Sequence, residues 1–189
     1  MRRIVALLLA VLMTLTMTTL SWAEGKLIIA VSTGPESPTS GFCGAASNEH
    51  GREDVKWEVT PNGGKVASED EDGNTILLPA YTLTISGEGE MMDNPGLESA
   101  KNWAVRDKNR LPYRDLITEV IVEEGVTSLG EGFCIYMQED AVIELPASLA
   151  KIGRNAFAEI EKPVELAEGN AVFKVVDNVL FTSDMKTLV

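Results

Sequence analysis

The sequence predicts a β-rich solenoid of short strands joined by short helical or irregular turns, preceded by a small β-rich N-terminal module. Three observations carry that prediction. The stretch Val120 to Phe133, VIVEEGVTSLGEGF, is echoed 23 positions on by IELPASLAKIGRNAF. Glycines at 125, 130 and 132 interrupt the first copy. Upstream, Val55 to Val59 (VKWEV) and Tyr81 to Ile85 (YTLTI) alternate apolar and polar residues, the period of a strand with one buried face.

The repeat comes first in the argument. Val120 is matched by Ile143, Val122 by Leu145, Val126 by Leu149, Leu129 by Ile152 and Gly130 by Gly153. Taken alone, Leu145, Leu149, Ile152, Ala156 and Ile160 would also suit the stripe of an amphipathic helix. The first copy argues against it, because each of its three glycines would cost about 1 kcal/mol in a helix interior. A coil serves both copies. Residues 118–123 run as a short strand with Val120 and Val122 inward, the chain turns at Glu124-Gly125, and Val126 and Leu129 point back into the same interior. Gly130 is expected to permit the next sharp bend, and Phe133 to close the far side. One coil cannot bury its own apolar edge, so the next must lie against it, with Leu129 and Ile152 in a shared core. A third coil begins with Val164 and Leu166, 21 residues after Ile143 and Leu145. It then departs into FKVVDNVLFTSDMKTLV, where Asp177-Asn178 reads as a hairpin turn.

The N-terminal module is written differently. From Lys26 to Arg114 the text is rich in turn formers and charge: TGPESPTSG, TPNGGK, SEDEDGN, MMDNPG. The two alternating runs lie among them, and Gly87 and Gly89 end the second. Trp57, Tyr81 and Trp103 require burial, which favours a folded module over a disordered linker. Composition changes near residue 115, giving a module and cap over 24–115 and repeats over 116–189, two full units and a partial third with its hairpin.

Residues 1–23 read as an export signal. Met1-Arg2-Arg3 is basic, Ile4 to Leu20 is mainly apolar, and Ser21-Trp22-Ala23 sets small residues at both positions a signal peptidase reads. Cys43 lies too far along to be a lipoprotein cysteine, and Leu78-Pro79-Ala80-Tyr81-Thr82 misplaces the threonine of a sortase substrate. The expectation is a secreted or extracellular protein, released or attached non-covalently to a cell surface. Cleavage after Ala23 takes 2 of the 16 basic residues, leaving 14 against 29 acidic, a net charge of −15. Such a charge repels phosphate backbones, so no nucleic-acid partner is expected, nor insertion into a membrane after cleavage. Cys43 and Cys134 are compatible with one disulfide or with two buried thiols.

The sites that would carry chemistry fail on their residues. Ser68-x-Asp70-x-Asp72-Gly73 begins like a calcium loop, but a serine stands where the first carboxylate belongs and Pro79 where the bidentate glutamate belongs. His50 is the single histidine, and no nucleophile motif accompanies it. No CxxC pair supports zinc, and Gly87-Glu88-Gly89 lacks the third glycine of a dinucleotide loop. No catalytic residue, metal or cofactor is expected.

VIVEEGVTSLGEGF and IGRNAF resemble the repeat unit of the BspA-type leucine-rich repeat surface proteins. VVDNVLFTSDMKTLV is similar to a hairpin insertion in that family. Cys43-Gly44, Val55-Lys56-Trp57, Leu83 to Gly89 (LTISGEG) and Tyr113-Arg114 match its N-terminal half. The resemblance implies a leucine-rich-repeat solenoid in an exported surface protein that binds a protein or cell-surface ligand without chemistry of its own. The first unit departs by one residue before Phe133, so either its bend is tighter or Gly132 takes the alanine's place. The chain stops at Val189, where family members continue, and is expected to be either a miniature member or a fragment. Strand alternation puts Glu119, Ile121, Glu123, Glu144 and Glu165 on the outer face as an acidic ribbon around one apolar residue. That ribbon is either the ligand-binding surface or a solvated face, and the whole chain either a binding or adhesion module or a structural spacer of a larger surface protein.

Overall fold

The computed structural model describes residues 18–23, 26–31, 39–70, 72–93, 113–135 and 137–189. Most of the apolar run Ile4 to Leu20, and Trp103, lie outside them. The described chain is almost wholly strand and turn; its helical content is two short 3-10 turns, Gly51–Asp54 and Tyr113–Leu116. No helix among the described residues is long and apolar enough to cross a membrane.

The strands follow the alternation. β1 (Thr18–Ala23) and β2 (Lys26–Val31) pair antiparallel, β3 (Ser40–Phe42) runs antiparallel to β4 (Val55–Glu69), and β4 pairs along β5 (Thr75–Gly87). Val55, Trp57 and Val59 are buried while Lys56 and Glu58 are exposed, as a one-sided strand requires. β4 holds one edge of β5 throughout. The other edge is shared by β2, parallel at Thr75 to Leu77, and by β7 (Ile117–Val122), parallel at Tyr81 to Ile85. The sheet continues through β9 (Val142–Leu145) and β11 (Glu165–Leu166). A second ladder stacks β6 (Gly89–Glu90), β8 (Val126–Leu129) and β10 (Lys151–Ile152), all parallel. β12 (Phe173–Val176) and β13 (Val179–Thr182) form a hairpin whose turn is Asp177-Asn178, with φ of 50° and 65°.

The repeated positions are neighbours in space. Val120 pairs with Ile143 and Leu129 with Ile152, both at 23 residues, while Leu145 pairs with Leu166 at 21. Residues 147–161 form turns rather than a helix around the two residues of β10. One hydrophobic cluster runs from Cys43, Trp57 and Leu83 through Leu129, Phe133 and Leu149 to Phe173 and Leu180, with Ile152 packed against it. Cys43 and Cys134 sit in it as two separate buried thiols. Burial pushes the Cys43 thiol up to about 12, and pushes Cys134 up as well.

Polar locks also recur at the repeat spacing. Ala147 and Ser148 N–H donate to the Glu124 carboxylate at 2.6 and 3.0 Å. Ser148 Oγ accepts from Gly125 N–H at 3.1 Å and donates to the Val126 carbonyl at 2.9 Å. One coil further, Asn170 Nδ2 donates to the Pro146 and Leu149 carbonyls at 3.2 and 2.8 Å. Arg154 reaches Glu131 at 3.0 Å across the same spacing.

Two sequence expectations change. Gly130 does not have the positive φ of a sharp bend, unlike Gly125 at +101° and Gly132 at +66°. It recurs at Gly153 because the coils approach there: a Cβ on Gly130 would lie 1.9 Å from the Met92 carbonyl oxygen, and one on Gly153 would lie 2.3 Å from Glu131 N. Nor is a residue missing before Phe133. Gly132 and Asn155 both have left-handed φ (66° and 56°), Gly132 N–H donates to the Arg154 carbonyl, and Cys134 N–H donates to that of Ala156. The 23-residue register of the first two coils therefore holds through this bend. Phe133 stands in the alanine's place and Cys134 in that of Phe157, a large–small pair in one coil and small–large in the next.

Candidate ligand-binding face

Register places the outward residues in rows across the sheet. The longest row runs Ser40, Glu58, Thr84, Ile121, Glu144, Glu165, one residue from each of six strands. Beside it lie Thr60, Thr82, Glu119 and Val142, and on the other side Phe42, Lys56 and Ser86. Glu123, whose N–H donates to the Ile85 carbonyl, extends that flank. The alternation that buries Val120, Val122 and Ile143 is the reason these side chains turn outward.

The five sequence-predicted residues thus share one face. Ile121, Glu144 and Glu165 stand in direct succession; Glu119 lies in the adjoining row and Glu123 at the strand end. Glu123, Glu144 and Glu165 are exposed, whereas Glu119 and Ile121 are half-buried. The Thr82 hydroxyl donates to the Glu119 carboxylate, so Glu119 is held in place while the other three extend into solvent.

The face is larger than the repeats alone. Glu58, Lys56, Thr82, Thr84 and Phe42 belong to the N-terminal strands, and Phe42 is 52% exposed with Lys56 Nζ 5.9 Å from its ring centroid. The polar beats of VKWEV and YTLTI were the signal for Lys56, Glu58, Thr82 and Thr84; Phe42 had none. Their junction to the repeat strands depends on the parallel pairing of β5 with β7, which no local pattern announces.

Electrostatically the rows are one-sided. Among the described residues Glu58, Glu119, Glu123, Glu144 and Glu165 face a single lysine, Lys56. Glu144 and Glu165 are directly opposed on neighbouring strands. Like charges so placed oppose sheet formation by a few tenths of a kcal/mol up to about 1 kcal/mol. Among the described residues, none of the five glutamates makes an ion pair; pairs elsewhere include His50–Asp54, Arg114–Asp115, Lys151–Glu90, Arg154–Glu131 and Lys186–Asp184.

The other residues weighed from sequence occupy structural positions. Ser68 and Pro79 lie on the β4–β5 ladder. Asp70 closes the hairpin between them, accepting from Asp72 and Asn74 N–H and from Asn74 Nδ2 at 2.8–3.0 Å. Those bonds, first that from the Asn74 side chain, hold its carboxyl below the usual range. His50 is exposed, with Nδ1 3.0 Å from Asp54 Oδ1 within one short turn. The described residues gather no group of three histidine, cysteine or acidic side chains able to hold a metal ion.

No family model and no curated protein matches the chain. Two solved structures are similar to it. One is a leucine-rich repeat protein from Eubacterium ventriosum, at 18% identity and a TM-score of 0.25, covering 77% of this chain and 49% of that one. The other is the pneumococcal vaccine antigen PcpA, at 18% identity and a TM-score of 0.31, covering 88% of this chain and 52% of that one. The chain spans about half the length of each. Overlaps this loose carry no argument. The internal register stands independently of them.

Proposed function

We propose that the chain is an exported, non-enzymatic binding or adhesion module of the BspA-like leucine-rich repeat kind, whose solenoid presents the outward sheet face to a protein or cell-surface ligand. The observation that supports this reading is the in-register succession Ile121, Glu144, Glu165, flanked by Glu119 and Glu123, without an ion-pair partner among the described residues. A carboxylate array of this sort opposes its own sheet. A ligand offering cations around an apolar contact for Ile121 and Val142 relieves that repulsion and covers the half-buried side chains.

The test uses a defined probe. A labelled peptide alternating lysine and leucine, and its glutamate counterpart, are titrated against the chain from Glu24 onward by fluorescence anisotropy. The basic peptide binds, weakening as salt rises, and the acidic one does not. Charge reversal at the three exposed positions, Glu123→Lys, Glu144→Lys and Glu165→Lys together, abolishes binding while Tm moves by no more than about 4 °C, because exposed substitutions carry small stability effects. Equal binding by the variant removes the face from consideration.

A second reading, a structural spacer within a larger surface protein, draws on the exposed apolar side chains of the C-terminal segment, Val172, Val175, Val176, Val179, Leu188 and Val189. It expects the triple reversal to leave all attachment properties unchanged.

A further inference from the structure

We propose that the edge of β2 covered by β1 is a strand-acceptor site, and that after removal of residues 1–23 a second copy of this chain occupies it, β2 pairing antiparallel with β2 in a two-fold dimer. The inference is independent of the acidic face and rests on the cleavage site read from Ser21-Trp22-Ala23.

β2 lies between two partners. β5 runs parallel to it at Ile28 to Ala30, and β1 runs antiparallel along all six residues, from Thr18 opposite Val31 to Ala23 opposite Lys26. β1 is also the tail of the segment that the sequence marks for removal. Its loss takes the hydrogen-bonding partner from one whole edge of Lys26–Val31. The strand, KLIIAV, holds no proline and pairs without a bulge, and its one charged residue is a lysine at the first position. The chain carries 29 acidic residues, yet none falls in this strand.

The occupant follows from the geometry. β1 shows that this edge accepts an antiparallel strand, and a two-fold axis sets identical strands antiparallel. A two-fold axis normal to the sheet passes midway between a residue and its own counterpart; centred on Ile29, it puts Ile29 opposite Ile29, Ile28 opposite Ala30 and Leu27 opposite Val31 of the other copy, with Lys26 beyond the paired region. Each strand is then its own complement, apolar against apolar. The described residues of the main core run from Cys43 to Leu180, and the chain from Glu24 retains all of them. Since β2 belongs to the sheet that bears the acidic rows, the dimer joins two such faces, and a multivalent surface would be held by both.

The experiment compares residues 24–189 with residues 18–189 by sedimentation equilibrium over a range of concentrations. The shorter chain dimerises reversibly and more strongly at high salt, because copies of like charge repel; the longer chain, its edge covered, stays monomeric. Ile28→Lys in the shorter chain returns it to monomer, with circular dichroism checking that the fold is kept. The double variant Ile28→Cys, Ala30→Cys forms a disulfide between copies under mild oxidation, a reaction closed to the buried Cys43 and Cys134, and it decides the question where Ile28→Lys fails to fold. A monomeric 24–189 chain overturns the proposal. So does dimerisation of both lengths alike, which would place the contact elsewhere, for instance on the exposed valines of the C-terminal hairpin, or a double variant that dimerises without cross-linking.

Discussion

Gly153→Ala tests the packing of coil on coil. The added Cβ would lie 2.3 Å from Glu131 N, 2.5 Å from Gly130 C and 2.8 Å from Glu131 Cα, all backbone atoms that cannot swing aside. Ordinary contact begins at 3.4 Å, so the coils must part there by about 1 Å. Two ladder bonds cross the gap, Gly153 N–H to the Leu129 carbonyl at 2.9 Å and Gly132 N–H to the Arg154 carbonyl at 3.0 Å. Lengthened by that amount neither remains a hydrogen bond, a loss of about 1 kcal/mol each. Overpacking adds about 1–3 kcal/mol, for a total of roughly 3–5 kcal/mol. At about 2–4 °C per kcal/mol for a chain of this size, Tm falls by about 6–20 °C in a thermal melt of the chain from Glu24 onward. Gly169→Ala is the control. It has φ of +86° and no atom within 4 Å of an added Cβ, leaving only the backbone cost of a left-handed alanine, about 1–2 kcal/mol. If Gly153→Ala melts no lower than Gly169→Ala, the recurrence of glycine is not caused by close approach, and the register argument loses its physical basis.

Phe133→Ala, at a position 1% exposed in the shared core, lowers denaturant-derived stability by about 3–5 kcal/mol. Glu124 is held below the usual carboxylate range, first by the Ala147 N–H bond and further by those from Ser148. A lowered folded-state pKa gives stabilisation that is present above the ordinary carboxylate range and lost as pH falls through the folded value. Tm against pH accordingly drops on the acid side, and Glu124→Gln makes that drop shallower; identical profiles would show the lock to be unimportant. Cys43 and Cys134, with thiols raised by burial, do not react with a thiol reagent at pH 8 in the native chain, and both react in denaturant. Rapid native labelling of either would contradict the core assignment.

Legibility varied with the kind of constraint. Val120/Ile143 and Leu129/Ile152 could be matched as letters because burial in a shared core demands apolar residues at each turn of the coil. Gly130 and Gly153 could be matched for a different cause than the one inferred: the letter glycine serves both a bend and a close backbone approach, and only the 1.9 and 2.3 Å distances separate them. The exchange of Phe133 and Cys134 for Ala156 and Phe157 was hidden, since volumes compensate between neighbouring coils while letters do not. Of the face, Glu119, Ile121, Glu123, Glu144 and Glu165 followed from alternation; Glu58, Thr82 and Thr84 could be read as outward by the same alternation, but not as continuous with those five, and Phe42 not at all.

The sequence by itself determined which side chains turn inward, where the chain turns, and the 23-residue interval between equivalent positions, because these arise from periodicity and from residues whose backbone preferences are local. The tertiary structure decided that β5 bridges the antiparallel N-terminal strands to the parallel repeats, and so that both halves share one core and one outward face. Strand order is settled by which edges can pair their hydrogen-bonding groups in three dimensions, a competition among distant segments that leaves no mark on any single stretch.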